Sequence, residues 1–180
     1  MNTTPLYIFD LDGTLADLKH RRHFVERPPC SGCGNMSIKS HKSSVYCPLC
    51  MTQNFFTPNW DAFHAACVDD TPIKPVIETL RALSRTGSFW IWSGRMETVR
   101  METVNWLAEH LDIHSGWRDM LKMRSAGDYT PDDVLKESWL KAMSLEDRAR
   151  LVMVFEDRDR VVNMWRRNSV VCAQVAPGDF

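Results

Sequence analysis

The hydrophobic positions fall into short unbroken runs separated by stretches with a helical repeat. Leu6-Tyr7-Ile8-Phe9 is the first run, and it ends on a carboxylate, Asp10. Similar runs recur at 89–92, 120–123, 151–155 and 169–175. Continuous apolar stretches of this length are the signature of strands buried on both faces. Between them, Val76, Leu80 and Leu83 are spaced by four and three, and Met101, Val104, Leu107, Ala108 and Leu111 repeat the period. Thr130-Pro131-Asp132-Asp133 predicts a further helix start, with proline at the first helical position and apolar positions continuing through Leu135, Trp139 and Met143. A last helix is expected over 160–166. Strands alternating with single helices predict an α/β fold, a doubly wound Rossmann-like parallel sheet covered on both faces. Such sheets gather their chemistry at the carboxyl ends of the strands.

Residues 27–58 break this rhythm. The stretch is rich in Pro, Ser, Lys and Cys and has no useful helical or strand period. It reads as an insertion between the first strand and the first helix, so the expected core is 1–26 with 59–180. An insertion this small needs a staple. Cys30-Ser31-Gly32-Cys33 and Cys47-Pro48-Leu49-Cys50 supply one, as two CxxC pairs with 13 residues between them. Each pair presents two thiolates from one tight turn, and two turns close a tetrahedral Zn2+ site with no open position, which implies a structural role. A redox dithiol would need only one pair. His41 lies between the pairs, but four cysteines suffice. Cys67 and Cys172 read as small buried hydrophobes.

Composition narrows the function classes. With 22 Lys and Arg against 23 Asp and Glu, the net charge of −1 argues against a protein that grips long duplexes through phosphates alone. No apolar run approaches the ~20 residues of a membrane span. The polar start, residues 1–4, leads straight into the first run without a basic leader, so no export signal and a cytoplasmic location are expected. In that setting six cysteines point to metal or reactive chemistry rather than disulfides. There is no GxxxxGK[ST] loop, so no P-loop kinase domain is expected.

Asp10-Leu11-Asp12-Gly13-Thr14 carries the most chemistry. Two carboxylates that close repel unless a cation neutralises them or their pKa values separate. A divalent metal would keep one ionised as ligand and nucleophile and leave the other free to exchange a proton. By itself, an acidic pair at a strand end is equally a solvated Asx turn. Three further sites shift that balance. Ser93-Gly94-Arg95 offers a hydroxyl and backbone N–H groups at a predicted strand-to-helix turn, which suits an anion. Lys136 stands one turn after Asp132, with Arg124 upstream. Glu156-Asp157-Arg158 follows the very apolar run 151–155. Magnesium is the favoured ion, because no His or Cys stands in these motifs.

These motifs, in this order, resemble the haloacid dehalogenase superfamily of phosphohydrolases. The stretches 8–15, 93–95, 124–136 and 156–180 resemble more closely the 3′-phosphatase half of phage polynucleotide kinase/phosphatase. The resemblance implies that Asp10 is the nucleophile, taking the phosphoryl group as an aspartyl-phosphate, and that Asp12 is the general acid and base. It implies Mg2+ held by Asp10, the Asp12 carbonyl and Asp157, with Glu156, where relatives often carry Asp, in contact through water. Ser93 and Lys136 would hold phosphoryl oxygens, and Asp132 would orient the lysine. Arg21, Gly94, Arg95 and Arg124 fall where relatives bind substrate. The expected activity is a Mg2+-dependent phosphomonoesterase acting on a phosphorylated nucleotide or nucleic-acid end, with 3′-phosphates of polynucleotides first. The alternatives are a 5′-(deoxy)nucleoside monophosphate phosphatase and, from another class, a non-catalytic nucleic-acid-binding zinc module. The insertion sits where many superfamily members carry a cap, and Lys39, His41, Lys42 and Tyr46 are its candidate nucleotide contacts. Trp60 and Trp117 are the candidate exposed stackers, whereas Trp90, Trp92 and Trp106 read as core.

Overall fold

A computed structural model describes residues 3–36, 42–113 and 116–178. Lys39 and His41 lie outside the described residues, as does the side chain of Trp117. In chain order the strands and helices are β1 (Leu6–Phe9), β2 (Ala16–Asp17), β3 (Ser44–Tyr46), β4 (Gln53–Phe55), α1 (Trp60–Ala65), β5 (Thr71–Pro72), α2 (Lys74–Leu83), β6 (Ser88–Met96), α3 (Arg100–Leu111), α4 (Trp117–Met120), β7 (Leu121–Arg124), α5 (Asp132–Lys141), α6 (Leu145–Arg150), β8 (Leu151–Glu156), α7 (Asp159–Arg167) and β9 (Cys172–Gln174). They form two compact units, one of Met1–Leu18 with Val68–Phe180 and one of Lys19–Cys67.

The larger unit is built on a five-stranded sheet of order β7-β6-β1-β8-β9, and every neighbouring pair in it is parallel. The first strand is central because it is nearly all apolar: Leu6, Ile8 and Phe9 are within 1 % of fully buried. Side chains alternate along it. Ile8 joins Trp92, Val154, Leu140 of α5 and Val161, Val162 and Trp165 of α7 in one core. Phe9 turns to the other side and stacks on Phe155, with centroids 4.3 Å apart. The chain runs from β1 outward through β6 to β7, then crosses back to β8 on the other side of β1. That reversal is the switch point where open α/β sheets hold their ligands.

Four local readings differ from the pattern-based expectation. The strand expected at 89–92 runs on to Met96, with a register irregularity between Ser93 and Met96. Ser93-Gly94-Arg95 is therefore a bulged strand end rather than a turn, and a bulge re-aims side chains. Pro131 is the N-cap of α5 rather than its first helical residue. The helix expected to continue through Met143 ends at Lys141, and α6 follows as a separate element. Its start is signalled by Ser144, whose hydroxyl accepts from the Asp147 amide at 3.0 Å. The last strand shrinks to Cys172–Gln174, because Ser169 adopts a left-handed backbone, φ 58°, just after α7.

In the smaller unit, β3 and β4 pair antiparallel, and α1 is capped by Asn59, whose side chain accepts from the Ala62 amide at 3.0 Å. Arg21 is fully buried. Its guanidinium lies 4.2 Å from the centre of the Phe63 ring and donates to the Phe63 carbonyl at 3.2 Å. Trp60 is half exposed, whereas Trp92 and Trp106 are core residues and Trp90 packs against the core. No helix among the described residues is long and apolar enough to cross a membrane.

Candidate active site and cysteine cluster

Two strand ends and one helix converge on one buried cluster of charge. Asp10 leaves the end of β1 while its amide still donates to the Phe155 carbonyl of β8 at 2.9 Å, which fixes the backbone under the carboxylate. Glu156 and Asp157 leave the end of β8. One carboxylate oxygen from each of Asp10, Glu156 and Asp157 lies within 4.8 Å of the others, and all three residues are buried. From α5 the Lys136 ammonium reaches in, 2.5 Å from Asp10 Oδ1 and 2.7 Å from Glu156 Oε2. Glu156 has the reach for this because it is one methylene longer than aspartate. Its other oxygen accepts weakly from the amides of Asp157 and Arg158, at 3.3 and 3.4 Å.

Two glycines are required by these approaches. Gly13 has φ +90°, and a Cβ there would stand 2.1 Å from Asp157 Oδ2. The first carboxylate loop thus lies directly against the last. At Gly94 a Cβ would stand 2.8 Å from Asp132 Oδ1.

The charges do not balance. Burial, then the neighbouring Glu156, pushes the Asp10 carboxyl up to about 7, despite Lys136. Burial and Asp10 push Asp157 up to about 6, and burial raises Glu156 as well. Burial works against the Lys136 charge too, but Asp10, Glu156 and Asp132 hold the ammonium above the ordinary lysine range. One cation among three acids leaves room for a second, and three carboxylates with no sulfur or imidazole form the hard-oxygen donor set that suits Mg2+. An acid whose folded pKa is raised stabilises the fold fully below its unfolded pKa, near 4, and loses that stabilisation as pH rises through the folded value. Thermal melts of metal-free protein should therefore drop between pH 5 and pH 8 by on the order of a few kcal/mol, and Mg2+ should restore most of the loss at pH 8. A flat profile with no Mg2+ response would contradict the cluster.

Around this cluster, the other candidate residues occupy defined places. Asp12 Oδ1 accepts two bonds from the Arg95 guanidinium, at 2.9 Å from Nε and 2.6 Å from Nη2. Arg95 is fully buried and also pairs with the buried Asp70. The resemblance places Arg95 on substrate; in the structure its guanidinium is bonded to Asp12 and Asp70. Asp70 is the functional candidate that sequence reasoning missed, since it stands in no motif and follows none of the predicted strands. Ser93 is fully buried at the end of β6, its hydroxyl accepting from the Arg95 amide at 3.1 Å. Arg124, also expected on substrate, donates to the carbonyls of Gly94 at 2.9 Å and Thr130 at 2.5 Å, and to Asp132. Asp132 is paired with Arg124 and Arg158; burial raises its carboxyl, but Arg158, Lys136 and Arg124 hold it below the usual range. Lys136 donates its hydrogen bonds to Asp10 and Glu156 rather than to Asp132, which acts on it only through space. Arg21 belongs to the smaller unit, stacked on Phe63 as described.

The family model for the polynucleotide kinase PNKP phosphatase domain matches residues 60–180. The chain belongs to that family. The two structures of a Pnkp1/Rnl/Hen1 complex, one of them described as an RNA repair complex, are each 25% identical to it and cover 100% of it, with TM-scores of 0.64 and 0.63. The chain spans less than half of those proteins, 45% and 49%. A haloacid dehalogenase-like family hydrolase from Streptococcus pneumoniae, 15% identical, shares the fold over 97% of this chain and 85% of its own, with a TM-score of 0.53. This PNKP-type domain is therefore a phosphatase with a haloacid dehalogenase-like fold.

The family match begins at Trp60, so the four cysteines lie outside it. Their sulfurs all lie within 4.8 Å of one another, with Cys30 to Cys50 at 3.5 Å and Cys33 to Cys47 at 3.6 Å. Those separations are far too long for a disulfide. They approach the roughly 3.8 Å edge of a sulfur tetrahedron around an ion with ~2.3 Å bonds, as for zinc. Donors already point at the sulfurs, from the Gly32 amide and Asn54 Nδ2 to Cys30, both at 3.4 Å. Burial opposes these bonds, yet they bring Cys30 down to about 6. The Asn35 amide lowers Cys33, but the Cys50 thiol, burial and the thiols of Cys47 and Cys30 together push it up to about 12. Four cysteine sulfurs at this spacing form a donor set that fits Zn2+.

Proposed function

We propose that this phosphatase is a Mg2+-dependent phosphomonoesterase that removes 3′-phosphates from polynucleotide ends through an aspartyl-phosphate on Asp10. The observation that carries the reading is the Lys136 ammonium set between Asp10 and Glu156, with Asp157 within reach of both. Asp10, Asp157 and the Asp12 carbonyl would hold the metal, with Glu156 beside them. Bound there, Mg2+ supplies positive charge for the phosphoryl oxygens and keeps Asp10 ionised.

An Asp10 carboxylate oxygen attacks phosphorus as the bond from phosphorus to the substrate oxygen breaks. Asp12 gives its proton to that leaving oxygen, then takes one from the water that attacks the aspartyl-phosphate. Inorganic phosphate leaves and Asp10 is regenerated. Arg95, anchored by Asp70, holds Asp12 in one orientation throughout. Lys136 and the Ser93 hydroxyl face charge spread over the phosphoryl oxygens, which is where positioned donors contribute most. Asp132, clamped between Arg124 and Arg158, fixes the entrance of α5 and with it the root of Lys136.

The family supports a polynucleotide over a free mononucleotide, and an enzyme over a non-catalytic zinc module. Residues 27–58 are read as a Zn2+-stapled insertion that selects substrate, by their place directly after the first carboxylate motif. Phosphate release should be Mg2+-dependent and at least about tenfold faster, in kcat/KM, from a 3′-phosphorylated oligonucleotide than from its 5′-phosphorylated isomer or a 5′-mononucleotide. The reverse order would move the substrate to the 5′ class. The isolated protein should also carry one Zn2+ per chain, released when a mercurial titrates four thiols. Four reactive thiols with no metal to release would refute the staple.

A further inference from the structure

The smaller unit carries a surface that the phosphatase chemistry does not use. In its hairpin, Ser44 pairs with Phe55, Val45 with Asn54 and Tyr46 with Gln53. Antiparallel alternation puts Val45 and Asn54 on one face and Ser44, Tyr46, Gln53 and Phe55 on the other. The inner face is committed to the cysteine cluster. Val45 packs on Cys30 and Cys47, and Asn54, 8% exposed, donates to Cys30 Sγ and to the Thr52 carbonyl at 2.8 Å. On the outer face, Tyr46 is 61% exposed and Phe55 72%. They are diagonal neighbours, a separation of about 7–8 Å between strands. The opposite diagonal is tied by a bond from Gln53 Nε2 to Ser44 Oγ at 2.8 Å. The cluster behind the hairpin thus holds two rings on one stiff, open face.

Charge decides between occupants. Within Lys19–Cys67 stand Lys19, Arg21, Arg22, Arg27, Lys39 and Lys42, against only Glu26 and Asp61. The rest of the chain carries sixteen basic residues against twenty-one acidic ones. Even with four thiolates around one divalent ion the lobe stays net positive, on a chain that is otherwise acidic. Lys42 lies two residues before Ser44, and Arg27 Nη2 donates to its carbonyl. Open aromatic rings framed by basic side chains are how proteins hold unpaired nucleic acid: bases stack while cations follow the phosphates. An apolar protein partner would need the rings but not the charge.

We infer that the outer face of the β3–β4 hairpin binds single-stranded nucleic acid, stacking bases on Tyr46 and Phe55, and so engages the unpaired strand of the substrate. The inference rests on the polynucleotide reading above. It is tested on the whole protein with Tyr46→Ala/Phe55→Ala. Fluorescence anisotropy would follow a short unphosphorylated single-stranded oligonucleotide, and steady-state kinetics would use a 3′-phosphorylated oligonucleotide and a small aryl phosphate. Binding should weaken at least about tenfold, and KM for the oligonucleotide should rise by a similar factor with kcat nearly unchanged. Aryl phosphate hydrolysis should stay within about twofold. Phe55→Trp, which keeps a ring, should retain binding, and equal Zn2+ content across the variants reports an intact lobe. Unchanged anisotropy, or equal losses on both substrates, would overturn the site. So would lost self-association with oligonucleotide binding intact, which would assign the face to protein contacts. Anisotropy needs no turnover. A wild-type protein that binds the strand through these rings yet hydrolyses only mononucleotides would sink the substrate reading and leave the hairpin site standing.

Discussion

Asp10→Asn is expected to lower phosphate release by about 10⁴-fold or more, the scale seen when a nucleophile is removed, while leaving the protein folded. The substitution keeps the shape of the side chain and its place at the end of β1. It removes the attacking oxyanion and one of the charges that crowd the cluster. Because burial and Glu156 already push the Asp10 carboxyl up to about 7 in the absence of metal, neutralising it costs the fold little. At pH 8, where the wild-type carboxyl is ionised, the variant should melt at the same temperature as metal-free wild type or higher. It should also lose much of the Mg2+ response. Activity and stability moving in opposite directions is the mark of a residue kept for chemistry. A variant that loses activity by unfolding would not meet this expectation.

Lys136→Met is the second large effect, and here the two quantities fall together. The ammonium is the direct hydrogen-bonding counter-charge of Asp10 and Glu156 and is 3% exposed. Removing one member of a buried ion pair leaves uncompensated charge and costs about 3–5 kcal/mol. The deficit should be largest near pH 8 and shrink toward pH 5, since the Asp10 carboxyl, pushed up to about 7, takes up a proton on the way down. Turnover should fall by about 10³-fold, the upper range for one electrostatic group. Thermal melts across that pH range and initial rates check both statements. A pH-independent loss of stability would show that ionisation of these carboxyls is not what the ammonium compensates.

The sequence made the sheet and its acidic ends legible because those features are local. An apolar run that stops on Asp10, and another that stops on Glu156-Asp157, mark strand ends without knowledge of their neighbours. The cysteine spacing was legible for the same reason. The arginines were not. Arg95 and Asp12 are 83 residues apart in the chain, and no motif says whether a guanidinium at a strand end faces a ligand or a carboxylate from elsewhere. Arg95, Arg124 and Arg21 all spend donors on protein groups, and Asp70 emerges only once Arg95 is in place. The role of Glu156 was hidden similarly. Read as a substitute for aspartate, it is a departure, whereas in three dimensions its extra length meets Lys136. The outward face of the β3–β4 hairpin depends on register, which the cysteine spacing does not specify.

In the proposed mechanism Asp10 takes the phosphoryl group while Lys136 and the neighbouring acids hold the site around it. The direct measurement is acid-quenched single turnover with a 3′-phosphate carrying radioactive phosphorus, followed by peptide mapping. Label should appear transiently on the peptide containing Asp10, only with Mg2+ present, and be absent from Asp10→Asn. Phosphate release at the wild-type rate by Asp10→Asn, or label that maps to another residue, would contradict it.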